Sequence, residues 1–174
     1  MRAFGLGVSL AVVSLLAATS AQAGWRDVAS RYDQKRLMSL PESRAKGMEE
    51  ARAGGDMGAI HEALGSHGTP LDNPTGGWRC RLIKLGGMTP SRVYSWFNCR
   101  VSDRGGHLYF RKLGGTTRPS GYLYPNGDGT FVYLGAQSMS SEPWHAYSGS
   151  GASAGEGATP DDQIGLLVGM GQGR

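Results

Sequence analysis

Near residue 77 the hydrophobic pattern of this chain changes period, and that change limits what it can fold into. Before it, apolar residues recur every three or four positions; after it, they alternate with polar ones. The first pattern makes helices with one buried stripe, and the second makes strands with two different faces. The reading is therefore an α+β chain, with residues 25–65 helical and residues 77–168 rich in strands.

Within the helical part, Trp25, Val28, Ala29 and Tyr32 fall on one stripe. Ser39-Leu40-Pro41-Glu42 has the form of a capping box, in which Ser39 and Glu42 satisfy each other's backbone N–H groups. That helix is expected to run to Ala53 and stop at Gly54-Gly55. Asp56 then opens a third helix with Met57, Ile60, His61 and Leu64 on one face. Gly47 and Gly58 weaken both helices, so packing must hold them.

Thr69–Gly77 is a Pro/Gly/Asn loop, and five strands follow it in quick succession. Trp78, Cys80 and Leu82 alternate with Arg79, Arg81 and Ile83. Val93, Ser95, Phe97, Cys99 and Val101 alternate with Tyr94, Trp96, Asn98 and Arg100. Leu108, Phe110 and Lys112 alternate with Tyr109 and Arg111. Tyr122–Tyr124 and Phe131–Leu134 flank an Asn-Gly turn at Asn126-Gly127. The 29 glycines include the doublets Gly76-Gly77, Gly86-Gly87, Gly105-Gly106 and Gly114-Gly115, which punctuate these runs. Gly149–Ala158 reads as a flexible Gly/Ser/Ala link, and Ile164–Val168 as a last apolar strand. Short links without helices between them predict an antiparallel meander of about five or six strands. Glycine-rich strands bend, so the sheet is expected to curl toward a partial barrel. The helices are expected on the face bearing Trp78, Cys80, Leu82, Phe97 and Cys99.

The chain opens with Arg2 and an uncharged apolar run from Ala3 to Ala18, then Thr19-Ser20-Ala21-Gln22-Ala23. Small residues at Ala21 and Ala23 give residues 1–23 the form of a secretory signal peptide, cut before Gly24. The run is shorter than the roughly 20 apolar residues of a membrane span. The residue directly after the cut is Gly24, not the cysteine a lipid anchor needs. Residues 24–174 then form one exported domain, and no transmembrane span is expected in the mature chain. Export places Cys80 and Cys99 in oxidising conditions, where a bridge between neighbouring strands stabilises by roughly 3 kcal/mol. With no second cysteine pair and no histidine close by, a metal site or catalytic thiol is the poorer reading. The net charge of +4 comes from interspersed charges, not from the dense basic stripe of a nucleic-acid binder.

Gly77-Trp78-Arg79-Cys80-Arg81, Lys84-Leu85-Gly86-Gly87 and Tyr94-Ser95-Trp96-Phe97-Asn98-Cys99-Arg100 together resemble DUF4893, an uncharacterised family of exported bacterial proteins. So do Arg118-Pro119-Ser120-Gly121-Tyr122-Leu123-Tyr124-Pro125, Phe131-Val132-Tyr133-Leu134-Gly135 and Pro160-Asp161-Asp162-Gln163-Ile164-Gly165. The likeness runs through nearly all of the mature chain. Its members are chiefly alphaproteobacterial, which implies a Gram-negative periplasm, and the resemblance implies no activity. Relatives continue with a further strand and a Leu-Pro segment, so an end at Arg174 reads as a truncated family domain.

No catalytic motif stands out, and no cofactor or metal site is expected. His61 and His67 are six positions apart, a spacing that does not place them on one helical face, and Gly65 and Gly68 interrupt; zinc needs three or four convergent ligands. His107 follows a glycine doublet and reads as a turn residue. Ser120 lacks a nucleophile elbow. Asn126-Gly127-Asp128-Gly129-Thr130 lacks the terminal glutamate of a calcium loop. Gly114-Gly115-Thr116-Thr117 leads into no helix that would complete a phosphate cradle. The remaining feature is arginine and aromatic residues on shared strands: Arg79, Arg81, Arg100, Tyr94 and Trp96, with Arg118 close in sequence. Guanidinium forks suit carboxylates and phosphates, and aromatic rings supply a stacking surface. The reading is a non-enzymatic periplasmic module that binds an anionic envelope component or a protein partner. The alternative is an envelope hydrolase in which His145 works with a carboxylate, Asp161 or Asp162.

Overall fold

The structure is a computed structural model that describes residues 23–65, 70–149, 159 and 161–169. The expected signal segment up to Gln22, most of the Gly/Ser/Ala link, His67 and the chain end at Arg174 lie outside the described residues. The order is α1 (Trp25–Val28), α2 (Arg31–Met38), α3 (Leu40–Ala51), a 3₁₀ turn (Arg52–Gly54) and α4 (Met57–Leu64). The strands are β1 (Gly76–Leu85), β2 (Ser91–Arg104), β3 (His107–Lys112), β4 (Thr117–Pro125), β5 (Phe131–Met139) and β6 (Asp162–Leu167). The strands form one sheet in the order β1-β2-β3-β4-β5-β6, and each neighbouring pair is antiparallel. The α+β fold and the six-stranded meander follow the sequence pattern, with β6 over the last expected strand.

Local chemistry sets the joints. Gly105 and Gly106, at φ of 65° and 86°, turn β2 into β3 between paired Arg104 and His107. That is the left-handed geometry of a two-residue hairpin, which glycine adopts without strain. The first helical stripe is broken: Ala29 is extended, and Ser30 restarts the helix by accepting from the Asp33 N–H. Trp25 and Ala29 are buried, whereas Tyr32, beyond the break, is 47% exposed. The capping box at Ser39 does not form. Ser39 is the N-cap of α3, but its hydroxyl donates back to the Arg36 carbonyl at 3.2 Å.

The sheet curls into a half-barrel. Trp78 and Cys80 of β1 line the same small apolar cavity, about 170 Å³, as Leu167 of β6 and the following Val168, although these strands are at opposite ends of the strand order. Gly121 and Gly135 face each other across β4 and β5. A Cβ on Gly121 would lie 2.2 Å from the Leu134 carbonyl oxygen, so the strands approach there more closely than any side chain allows. Two apolar clusters result. On the concave face Val101, Leu123 and Phe131 pack with Leu71, Trp78, Phe110 and Tyr133. On the outer face Trp25 and Ala29 pack with Tyr124, Val132 and Leu134, joined by Leu37, Tyr147 and Ile164.

The second cluster corrects the expected helix placement. Helices α1 and α2 lie on the outer face of β4–β6, opposite the face of Trp78, Cys80, Phe97 and Cys99. β4 and β5 carry apolar residues on both faces, so alternation there cannot choose the side. Helices α3 and α4 meet the β1–β2 hairpin instead, through Glu50 accepting from Gly87 N–H, Asp56 accepting from Ser91, and Glu62 paired with Arg81. Cys80 and Cys99 stand at disulfide distance on diagonal positions of β1 and β2, Cα atoms 6.0 Å apart.

Candidate functional site

Strand register decides which arginines share a surface. In β1–β2, Arg79 faces Asn98, Arg81 faces Trp96 and Gly77 faces Arg100. These residues alternate with Trp78, Cys80, Phe97 and Cys99, so they project from the outer face. Four of the six expected residues, Arg79, Arg81, Trp96 and Arg100, thus come together. Tyr94 does not join them. Arg81 pairs with Trp96 but Ile83 pairs with Val93, so β2 carries a bulge where Tyr94 and Ser95 oppose Leu82. The bulge breaks the alternation, and the Tyr94 ring lies under Lys84, 5.9 Å from its ammonium. Arg118 is on β4, and its guanidinium is occupied by the backbone. One terminal nitrogen donates to the carbonyls of Met139 and Glu142 at 2.8 and 2.7 Å, closing the turn after β5.

The four that gather are unequally engaged. Arg81 is held by Glu62 at 3.3 Å and lies 4.8 Å from the Trp96 ring centroid. Trp96 remains 51% exposed, leaving a broad aromatic surface toward solvent. Arg79 and Arg100 are exposed and have no hydrogen-bonded or ion-paired partner among the described residues.

The sequence reading missed Arg111. Register places it directly opposite Arg100, on the outer face of β3. Its alternation with Phe110 and Lys112 was legible; which arginine it would meet depended on pairing. Arg111 has no carboxylate partner among the described residues, and its guanidinium lies 5.7 Å from the Trp144 ring. Arg118 approaches the same ring at 4.5 Å. Two arginines directly opposed across an antiparallel ladder have Cβ atoms about 5 Å apart and repel each other. Arg79 lies diagonal to Arg100, so three uncompensated guanidinium groups share one patch, with Trp96 and Trp144 on either side.

The family model for a domain of unknown function, DUF4893, matches residues 25–174, which include every strand of this sheet. The chain belongs to the DUF4893 family. No curated protein and no solved structure matches it. DUF4893 membership carries no chemistry, so the remaining candidates rest on geometry alone.

In this DUF4893 chain His145 lies in the segment after β5. Its Nδ1 is 3.4 Å from Asp161 and its Nε2 is 3.5 Å from Glu142. Asp162 does not reach it: that carboxylate is buried and accepts from the N–H and hydroxyl of Ser148. The Asp161 and Glu142 carboxylates are both partly exposed. Ser138, whose hydroxyl accepts from the His145 backbone N–H at 2.7 Å, is buried. Ser120 is also buried, its hydroxyl accepting from Tyr109. His61 is on the exposed side of α4, and the His107 ring packs edge-on against Tyr122. Among the described residues no group of three histidines, cysteines or carboxylates could hold a metal.

The buried lysine of the concave face is structural. Lys112 donates to the carbonyls of Gly114 and Thr117 and lies 3.7 Å from the Phe97 ring centroid. Burial lowers its pKa from the usual lysine value.

Proposed function

We propose that this chain is an exported, non-enzymatic module that holds an anionic component of the bacterial envelope against the outer face of β1–β3. The observation that carries the reading is the Arg100–Arg111 pair. A like-charged pair placed directly across a ladder costs stability, and Arg79 adds a third cation diagonal to it. Bound phosphate or carboxylate converts that repulsion into charge-assisted hydrogen bonds. Trp96 offers an adjacent ring on which an apolar or sugar-like portion of the ligand can stack. The signal-like residues 1–23 support export, and the arginine patch supports attraction to the anionic surfaces found there. The hydrolase alternative is weaker, because the serines Ser138, beside His145, and Ser120, on β4, are buried and already hydrogen-bonded.

The test is cosedimentation of the purified protein with envelope fragments at fixed ionic strength. Replacing Arg79 and Arg100 together by serine abolishes binding while the circular dichroism spectrum is unchanged and Tm stays at or above the wild-type value. Retained binding by that variant refutes the reading.

A further inference from the structure

One end of the half-barrel carries a second concave feature, on the opposite side of the sheet from the arginine patch. A cleft of about 480 Å³ opens between the β2–β3 hairpin tip at Gly106 and the β4–β5 tip at Gly127–Thr130. Its volume falls within the roughly 300–1,000 Å³ of small-molecule sites. Leu71, Leu108, Leu123 and Phe131 form its apolar floor, continuous with the concave core. The wall is pinned, since Leu71 N–H donates to the Gly129 carbonyl at 2.9 Å and ties the segment before β1 to the β4–β5 hairpin.

The charges around this cleft are one-sided. Asp72 lines it and has no hydrogen-bonded or ion-paired partner among the described residues. Asp103 and Asp128 lie in the two flanking tips, their carboxylates accepting from Gly106 N–H and from Thr130. The one arginine in these tips, Arg104, is drawn to the outer face, 3.8 Å from the Tyr109 ring centroid. Thr130, the hydroxyl on the wall, is already taken by Asp128 and Asn126. That leaves an apolar floor with a single unengaged anion at its mouth.

We propose that this cleft binds a small organic cation, its apolar body on Leu108, Leu123 and Phe131 and its ammonium group at Asp72. The ligand class follows from complementarity: burial of the body supplies affinity, and the carboxylate selects positive charge. The site does not depend on the arginine patch.

The probe is 2-phenylethylamine titrated into the isotope-labelled chain, followed by amide shifts, with phenylacetate as the same body of opposite charge. The amine gives saturable shifts at Leu71, Gly106, Gly129 and Thr130, and phenylacetate gives none. Asp72→Asn, at an exposed position that does not endanger folding, weakens the amine about tenfold, as loss of a charged partner does. Arg100→Ser/Arg111→Ser leaves the amine affinity unchanged. Equal binding of amine and acid, absence of saturable shifts at these amides, unaltered affinity in Asp72→Asn, or loss of affinity in the arginine variant overturns the proposal.

Discussion

Asp33 is completely buried on α2 and illustrates how single residues hold this molecule together. Ser30 Oγ and Tyr147 OH both donate to its Oδ2, at 2.9 and 2.6 Å, and Arg36 meets its Oδ1 at 2.8 Å. Tyr147 also accepts from Ser30 N–H, fastening the segment after β5 to the first turn of α2. Tyr147→Phe leaves a backbone N–H unpaired and removes a donor from a buried carboxylate. We expect a loss of about 1–3 kcal/mol in urea unfolding. The same residue gives alkaline pH sensitivity. Burial, then the hydrogen bond to Asp33, pushes the Tyr147 pKa up to about 12. Above about pH 10 the unfolded chain loses this proton while the native state keeps it, so stability falls as pH rises toward 12. The slope of Tm against pH in that window is shallower in Tyr147→Phe. It is not zero, because burial also raises Tyr124 and Tyr133. Nothing in the sequence around Asp33 announces this: the partner is 114 positions away.

At the scale of elements, the glycines divide into those that space permits to change and those it does not. Gly121→Ala forces a Cβ into the backbone of β5 and costs about 2–3 kcal/mol, as overpacking does. Gly58→Ala on α4 meets nothing within 4 Å and gains about 0.5–1 kcal/mol from a stiffer unfolded chain. Chemical denaturation of both variants checks the pair. Reducing the Cys80–Cys99 bridge, which spans 19 positions, lowers stability by roughly 3 kcal/mol and Tm with it. The strands were legible because alternation and paired glycines are local signals. Three features were not. Helix α1 ends because Ser30 turns toward Asp33, and the β2 bulge exists only in register with β1. The side on which α1 and α2 pack is chosen by Tyr124, Val132 and Leu134, on strands apolar on both faces.

At the scale of the whole molecule, the half-barrel separates two surfaces of opposite charge. The outer face of β1–β3 gathers Arg79, Arg100 and Arg111, and the hairpin-tip end gathers Asp72, Asp103 and Asp128. Alternation on β1–β2 was enough to put Arg79, Arg81, Trp96 and Arg100 on one side. It could not show that Arg81 would be occupied by Glu62, that Arg118 would close a turn, or that Arg111 would face Arg100. These depend on contacts between elements far apart in sequence. Export, inferred from residues 1–23, predicts a periplasmic product whose mass begins at Gly24. Anion binding by the arginine patch is read from Tm against pyrophosphate concentration at constant ionic strength. A ligand bound only by the native state raises Tm progressively with its concentration. We expect that rise in the wild-type chain and a flat line in Arg79→Ser/Arg100→Ser/Arg111→Ser, whose ligand-free Tm is at or above wild type. Equal rises in both proteins, or no rise in the wild type, contradict anion binding by the patch.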